Sequence, residues 1–297
     1  MGNSEHKAGF VNIIGLPNAG KSTLLNALMG EKMAIITPKP QTTRHRIIGI
    51  LNEENYQIVF SDTPGIVKPH NKLHEKMMSF VRGSLQDADI FIYLVDFFKQ
   101  EIDEEIIEKI KELKRPLFIA INKIDKADAT EVEQYKNKLI SDFPCAFVET
   151  ISAKDEIGTA ELIEKIVELL PHHAAFYPKD DSLSDRSMRF FVSEIIREKI
   201  FLNYRDEIPY ATEVFIENYV EKEDIVVINA VIFVERETQK AILIGNNGKA
   251  IKKVGIESRK DIEEFIGSKV FLELVVKVSK NWRQDDQQLD RFGYKLS

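Results

Sequence analysis

The chain has 297 residues, a formal net charge of −7, and a composition that is 43% hydrophobic and 30% charged. This length exceeds the usual size of one domain, so we expect two domains, each with its own core. No apolar run approaches the ~18 residues that a membrane span needs, and the N-terminus has neither a basic start nor an apolar signal core, so the expected location is the cytoplasm. The negative charge argues against nucleic-acid binding by the whole surface, but it leaves a local basic patch open.

The chain contains a single cysteine, Cys145, which excludes an internal disulfide. Because it lies in the apolar run CAFVETI, we expect a small core residue at this position. The histidines show no zinc signature, and no Gly-x-Ser-x-Gly nucleophile motif is present. Zinc chemistry and covalent serine catalysis therefore have no visible basis.

Short apolar segments alternate with amphipathic segments through residues 1–172. This pattern predicts an α/β domain with a mostly parallel sheet and flanking helices. The predicted strands are FVNII, RIIGIL, YQIVFS, IFIYLVD, PLFIAIN and AFVETI. The predicted helices cover residues 21–29, 73–88, 103–114, 131–141 and 158–170.

A phosphate-binding loop directly follows the first strand and precedes the first helix. Its residues are Gly15, Leu16, Pro17, Asn18, Ala19, Gly20, Lys21 and Ser22. The glycines let the backbone wrap phosphates, the amide N–H groups face the anion, and Lys21 adds a point charge. We expect the hydroxyl of Ser22 to hold Mg²⁺.

A second phosphate-related motif follows the strand YQIVFS. Its residues are Asp62, Thr63, Pro64 and Gly65. At the end of a strand, Asp62 is placed to steady Mg²⁺, and the N–H of Gly65 can meet the γ-phosphate. The same Asp-x-x-Gly pattern recurs at residues 155–158, so the interpretation depends on position after the strand and on order after the phosphate-binding loop.

Two later motifs predict which base is bound. Asn122, Lys123, Ile124 and Asp125 end one strand, and Ser152, Ala153 and Lys154 follow the next. Guanine presents two adjacent N–H donors that the carboxylate of Asp125 can accept, whereas the corresponding ring nitrogen of adenine is itself an acceptor. We therefore predict GTP and GDP rather than ATP, with a backbone N–H of the second motif reaching the guanine carbonyl.

The C-terminal part predicts a linker and a second domain. Residues 173–185 continue a proline- and charge-containing stretch without periodicity, which indicates a linker. Residues 186–297 predict an α+β domain in the order helix, two long strands, two helices joined by a glycine loop, a strand and a C-terminal helix.

The glycine loop of this second domain predicts RNA binding. Its residues are Gly245, Asn246, Asn247 and Gly248. Residues 236–260 carry seven basic and two acidic side chains, and a glycine loop followed by Lys249, Lys252 and Lys253 matches the way KH domains clamp single-stranded RNA. A bare Gly-x-x-Gly also suits an ordinary turn. The side chains expected to form an apolar groove beneath the bases, with ordinary core positions as the alternative, are Ile242, Ile244, Ile251 and Val254.

The motif order resembles the translation-factor-like class of P-loop GTPases. Ile66 stands where Ras-like enzymes have a water-orienting glutamine, a replacement shared by the TrmE–Era group. Together with the type II KH order, the motifs GLPNAGKSTLLNAL, QTTRHRIIGI, DTPGI, NKID, SAK and IGNNGKAIKKVGIESRKDIE resemble the Era family of GTPases.

This resemblance implies specific roles for residues of the nucleotide site. Catalysis is assigned to Lys21, Thr43, Asp62 and Gly65, and Mg²⁺ coordination to Ser22, Thr43 and Asp62. Thr43 is chosen by its match to the family motif, while its neighbour Thr42 stays an alternative. The resemblance also implies that Ile66 contacts the nucleotide and that a K⁺ ion linked to Asn18 supplies charge at the phosphates.

The function implied is that of a GTP-hydrolysing, RNA-binding ribosome assembly factor. Its nucleotide state would gate binding of the KH domain to the 3′ end of small-subunit (16S) rRNA during maturation of the 30S subunit. We further expect a monomer, located in the cytoplasm and associated peripherally with the inner face of the cell membrane. An RNA-binding module with a regulatory or inactive nucleotide domain is the alternative, and a P-loop kinase would leave Asp125 and the KH-like half without a role.

Overall fold

The computed structural model describes residues 6–180 and 182–295. They divide into two compact units. The described residues within Met1–Ala34, Thr43–Lys68 and Met77–Asp185 form the first unit, and those within Ile35–Thr42, Pro69–Lys76 and Arg186–Ser297 form the second. Two short segments of the N-terminal half therefore belong to the unit that the C-terminal half otherwise builds.

The first unit is built on a six-stranded sheet. Its strands are β1 (Lys7–Gly15), β2 (Ile47–Asn52), β3 (Tyr56–Asp62), β4 (Ile90–Asp96), β5 (Leu117–Asn122) and β6 (Phe147–Thr150). The order across the sheet is β2-β3-β1-β4-β5-β6. Only β2 runs antiparallel to its neighbour, so the predicted mostly parallel sheet is confirmed.

Helices flank this sheet. They are α1 (Lys21–Met29), α2 (Lys72–Asp87), α3 (Glu104–Glu112), α4 (Ala129–Asp142) and α5 (Thr159–Leu169). Asp103 caps α3 by accepting from the N–H of Ile106, and Asp128 caps α4. Because β1, β3, β4 and β5 are parallel, their carboxyl ends meet at one sheet edge, where open α/β sheets bind ligands.

The predicted core position of Cys145 is wrong, because this thiol is exposed. The chain turns between α4 and β6, with the N–H of Ala146 donating to the carbonyl of Phe143 at 2.9 Å. Strand β6 begins only at Phe147, so Cys145 lies in the turn and not in the strand that the apolar run suggested.

The segment predicted as a linker packs along the outer edge of the first unit. The N–H of Ile50 donates to the carbonyl of Leu183 at 2.8 Å, and the Ser184 hydroxyl donates to the carbonyl of Ile48 at 2.5 Å. This contact covers the free edge of β2, which would otherwise present unpaired backbone groups. The placement of a domain boundary at residues 173–185 stays a prediction.

The second unit has the KH arrangement. Its elements are α6 (Met188–Asn203), α7 (Ile208–Ala211), β7 (Glu213–Glu221), β8 (Val226–Val234), α8 (Glu237–Ile244), α9 (Lys249–Ile266), β9 (Val270–Val278) and α10 (Asp286–Arg291). The sheet order is β7-β8-β9, with β7 antiparallel and β9 parallel to β8. The α+β fold expected after the α/β domain is confirmed.

Buried side chains tie residues 282–294 to α7 and β7. Trp282 is 0% exposed and donates through Nε1 to the carbonyl of Ala211 at 3.0 Å. The hydroxyl of Tyr294, also buried, donates to Glu213 Oε2 at 2.7 Å. The C-terminal segment is therefore part of the folded second unit.

Candidate nucleotide and RNA sites

The phosphate-binding loop lies between the end of β1 and the start of α1. Gly20 has φ +105°, and a Cβ at this position would overlap the side-chain amide of Asn122. Lys21 Nζ donates to the carbonyls of Gly15 and Leu16, at 3.1 and 3.2 Å. The loop thus curls around the ammonium group and leads directly into the N-terminus of α1, a position that favours an anion.

Three oxygen-bearing side chains come together beside this loop. Ser22 Oγ lies 2.7 Å from Thr43 Oγ1 and donates to Asp62 Oδ2 at 2.6 Å. Asp62 is fully buried, and its Oδ1 accepts no hydrogen bond from any described residue. Hydroxyl and carboxylate oxygens with an unsatisfied buried lone pair are a donor set that fits Mg²⁺.

The two candidate switch threonines have different surroundings. Thr43 Oγ1 faces Ser22 Oγ and lies 3.4 Å from Asp62 Oδ2. Thr42 Oγ1 instead lies 2.6 Å from Thr37 Oγ1 and donates to the carbonyl of Lys39 at 2.8 Å. The structure therefore brings Thr43 to Ser22 and Asp62 and leaves the Thr42 hydroxyl in the second unit.

Burial shifts both charged groups of this site toward their neutral forms. Burial lowers the pKa of Lys21, and the attraction of Asp62 opposes this only in part. Burial likewise raises the pKa of Asp62 against the combined effect of Lys21 and the Ser22 and Thr43 hydroxyls. A triphosphate next to Lys21 and a divalent cation next to Asp62 would each restore the charged form.

The Asp62–Ile66 motif leaves the end of β3 and approaches the phosphate-binding loop. A Cβ on Gly65 would lie 3.1 Å from the ring of Pro17, so the two motifs are in close contact. The Thr63 hydroxyl donates to the carbonyl of Ile13 at 3.3 Å. Ile66 is partly buried against the core of the first unit and offers no hydrogen-bonding group to a water molecule.

Asn122 connects three of the predicted nucleotide motifs. Its side-chain amide donates to the carbonyl of Ala19 at 2.8 Å, and its oxygen accepts from the N–H of Ala153 at 2.9 Å. Ser152 Oγ donates to Asp125 Oδ1 at 2.9 Å, which orients the carboxylate expected to read guanine. Because the Ala153 N–H is already engaged, guanine recognition through it requires that this hydrogen bond be shared or released.

Sequence reasoning missed one residue that positions the guanine motif, Asp96. Its carboxylate lies 2.6 Å from Lys123 Nζ, which also donates to the carbonyl of Asn18 at 3.0 Å. Lys123 has φ +72°, a backbone conformation that costs free energy for a residue other than glycine. The contacts with Asp96 and Asn18 stabilise it. The available signal was the position of Asp96 at the end of β4, the strand next to β5.

The predicted RNA-binding loop joins α8 to α9. Gly245 has φ +70° and ψ −179°, and a Cβ there would lie 2.6 Å from the Cβ of Ala250. Asn246 and Asn247 are exposed in a short 3₁₀ turn that ends at Gly248. The side chains of Lys249, Lys252 and Lys253, near the start of α9, are exposed.

A groove of about 320 Å³ lies between β9 and α9, the helix that follows this loop. Its lining consists of Ile251, Lys252, Gly255, Ile256, Arg259, Leu272 and Leu274. Of the four side chains expected in an apolar groove, Ile251 lines this one, and Ile244 and Val254 take the core positions that were the alternative. Val254 is fully buried and Ile244 packs on the core of the second unit, whereas Ile242 is 52% exposed outside the groove. The β9 residues were missed because their contribution depends on how β9 packs beside α9.

Fold and site together define a P-loop GTPase joined to a KH domain. The family models that match are the 50S ribosome-binding GTPase, over residues 10–123, and the KH domain, over residues 207–283. GTPase Era of Caldanaerobacter subterraneus subsp. tengcongensis is 44% identical over 98% of this chain and 99% of its own length. The chain belongs to the Era family of GTPases.

Further relatives agree over the whole length. GTPase Era of Geobacter metallireducens is 41% identical over 99% of this chain and all of its own. The crystal structure of a single-residue variant of Aquifex aeolicus Era bound to GDP.AlF4⁻ has 37% identity and a TM-score of 0.93, covering 98% of this chain and 100% of that one. The same identity, TM-score and coverage hold for the crystal structure of Era in complex with MgGDPNP and nucleotides 1506-1542 of 16S ribosomal RNA.

Proposed function

We propose that this GTPase binds the 3′ end of 16S rRNA through its KH domain during 30S maturation, and that its nucleotide state gates this binding. The RNA target is supported by the Era structure that contains both MgGDPNP and 16S rRNA nucleotides. That structure has a TM-score of 0.93 and covers 98% of this chain.

The observation that carries the gating proposal is the anchoring of residues 35–42 on α6. Arg197 donates to the carbonyl of Thr42, and the N–H of Ile36 donates to Glu198 Oε1 at 3.1 Å. Lys39 Nζ contacts the carbonyls at the C-terminal end of the same helix. The next residue in the chain is Thr43, the proposed Mg²⁺ ligand, so movement of either residue is transmitted through one peptide bond.

Residues 69–76 are anchored in the second unit as well. Lys72 Nζ lies 2.5 Å from Asp286 Oδ2, and Lys76 Nζ lies 3.1 Å from Asp290 Oδ1, at the two ends of α10. This segment begins three residues after Ile66. The segment before Thr43 and the segment after Gly65 are therefore both held by the unit that carries the proposed RNA groove.

These anchors supply a physical route for gating. GTP would draw Thr43 and Gly65 toward the γ-phosphate. The anchored segments would either move with them or oppose this movement, and both outcomes couple the nucleotide state to the second unit. RNA affinity changes only if the second unit binds RNA differently in the two nucleotide states.

The proposed roles at the nucleotide site follow from the groups present. Lys21 and the backbone N–H groups of the loop bind and orient the phosphates, Asp125 reads guanine, and the N–H of Gly65 meets the γ-phosphate. Ser22, Thr43 and Asp62 would hold Mg²⁺, which would supply positive charge next to the phosphates. The proposed nucleotide contacts are Gly15, Leu16, Pro17, Asn18, Ala19, Gly20, Lys21, Ser22, Asp62, Thr63, Pro64, Gly65, Ile66, Asn122, Lys123, Ile124, Asp125, Ser152, Ala153 and Lys154.

We also propose that K⁺ accelerates hydrolysis. Ile66 cannot orient a water molecule, so additional positive charge near Asn18 would compensate at the phosphates. Turnover should rise when Na⁺ is replaced by K⁺ at constant ionic strength, and equal rates would contradict the proposal.

The experiment for the gating proposal is a titration of labelled single-stranded RNA that matches the 16S 3′ end. The protein is held in its GTP-analogue or GDP form at one salt concentration, because phosphate contacts are salt-dependent. Tighter binding in the GTP-analogue form is expected. Equal RNA affinity in the two forms would contradict nucleotide gating but not the proposed RNA target.

The cellular setting is a separate proposal. We propose a monomer of the cytoplasm that associates peripherally with the inner membrane face, as the family resemblance implies. Within residues 6–180 and 182–295 no helix combines the length and apolar character needed to cross a bilayer. Flotation with anionic vesicles in each nucleotide state tests the peripheral association, and absence of the protein from the vesicle fraction would contradict it.

A further inference from the structure

A cavity of the first unit lies away from the nucleotide motifs. It has a volume of about 550 Å³ and opens between the α3–β5 and α4–β6 connections. Leu117, which begins β5, lines it, whereas Asn122 ends the same strand at the nucleotide motifs. At about 3.3 Å per residue, the strand separates the two places by roughly 17 Å.

The floor of this cavity is apolar. Ile110 and Leu117 are 0% and 5% exposed, and Phe143 is partly buried beside them. Pro116 and Pro144 complete the apolar lining. A concave apolar surface of this volume, with a few polar groups, is typical of a site for a small organic molecule.

Three cations and no acidic side chain line the cavity. Lys111 Nζ lies 5.4 Å from the ring centre of Phe143 and also pairs with an exposed glutamate of α3. Arg115 is half exposed, 4.0 Å from the carboxylate of Asp89. Within the described part of the chain, Lys114 Nζ has no hydrogen-bond or ion-pair partner. The lining therefore favours an anionic ligand.

The backbone of the two connections offers little to an extended peptide. The N–H of Lys114 donates to the carbonyl of Lys111 at 3.0 Å, and that of Ala146 donates to Phe143 at 2.9 Å. The two prolines have no N–H. A strand-like peptide would thus lack a row of main-chain donors, so recognition depends on the apolar floor and the three cations.

We propose that this cavity binds a small aromatic carboxylate. The ring would lie on Phe143 and Leu117, and the carboxylate would be held by Lys114 and Arg115, whose guanidinium group matches a planar carboxylate. Cys145 also lines the cavity and is the only thiol of the chain, so its reactivity reports occupancy at this place alone.

The test measures the rate at which iodoacetamide alkylates Cys145 in the full-length protein, followed by mass spectrometry. The probe is 2-naphthoate, and the control ligand is 2-naphthamide, which has the same shape without the charge. Saturable protection by naphthoate is expected, with naphthamide weaker by about tenfold because it forms no charge-assisted hydrogen bonds. Absence of protection, or equal protection by both, would overturn the proposal.

Two variants, with substitutions only at exposed positions, extend the test without disturbing the core. Lys114→Glu with Arg115→Glu should weaken naphthoate protection by about tenfold. Lys109→Glu alters an exposed lysine of α3 outside the cavity and should leave protection unchanged. Unchanged melting temperatures and GTP turnover show that each variant is folded. Protection that is equal in all variants would place naphthoate elsewhere and contradict the assignment.

Discussion

Arg197 donates a hydrogen bond to the carbonyl of Thr42 from a position that is almost completely buried. A two-point ion pair holds it there, with Nε 2.7 Å from Glu194 Oε1 and Nη2 2.5 Å from Glu194 Oε2. An arginine fixed in this way sets the position of one peptide group. Because Thr43 follows that group, Arg197 is a positioning residue for the proposed Mg²⁺ ligand.

Arg197→Met should destabilise the second unit and weaken the nucleotide gate. The substitution leaves Glu194 buried without its partner, which costs on the order of 3–5 kcal/mol of unfolding free energy. Trp282, the only tryptophan of the chain, is buried in this unit, so its fluorescence during urea unfolding measures the loss. Arg189→Met, at an exposed position of α6, is the matched control.

Adding Glu194→Leu to Arg197→Met separates stability from gating. The double variant should recover most of the unfolding free energy, because no unpaired charge stays buried. It should still bind RNA with more similar affinities in the GTP-analogue and GDP forms than the original protein does. A double variant with restored stability and an undiminished affinity ratio would show that Arg197 has only a structural role.

Asp125→Asn should shift nucleotide preference from GTP toward xanthosine triphosphate. An amide can donate to the carbonyl that replaces the guanine amine, whereas the carboxylate accepts from guanine. Competition binding with both nucleotides measures the shift. Asp128→Asn is the control, because Asn also caps α4 and should leave GTP preference intact. Retained GTP selectivity in Asp125→Asn would contradict the base-reading role.

The Mg²⁺ requirement should increase as the solution becomes mildly acidic. Burial raises the pKa of Asp62, so the proton and Mg²⁺ compete for its carboxylate at a higher pH than an exposed aspartate would show. Mg²⁺ affinity should be constant well above this pKa and fall as pH decreases toward it. Titration of GTP turnover with Mg²⁺ measures the effect, corrected for the Mg²⁺ affinity of free GTP at each pH. A half-saturating Mg²⁺ concentration that does not vary with pH after this correction would contradict the role of Asp62.

The groove between α9 and β9 predicts which cations contact RNA. Lys252→Gln and Arg259→Gln should each weaken RNA binding and reduce the salt slope by about one. Lys260→Gln, on an exposed position of α9 outside the groove, removes the same charge and should have a smaller effect. Equal losses in all three variants would indicate diffuse attraction and no defined groove contact.

Local patterns predicted most of the fold but not the long-range contacts. The order of strands and helices followed from apolar periodicity. The nucleotide motifs at the strand ends could be predicted because their glycine and turn signals are local in the sequence. The exposure of Cys145, the groove contributions of Leu272 and Leu274, and the Lys123–Asp96 pair depend on contacts between distant segments. The hydrogen bond from Arg197 to the carbonyl of Thr42 joins residues 155 positions apart and has no local signal in the sequence.

The most direct measurement of nucleotide gating is the full binding cycle for RNA and nucleotide. It requires the RNA dissociation constant in the GTP-analogue and GDP forms, and the affinity of each nucleotide with and without RNA. Our account predicts RNA binding at least about fivefold tighter in the GTP-analogue form, and a nucleotide preference that RNA shifts by the same factor. RNA dissociation constants that are equal in the two forms would contradict it.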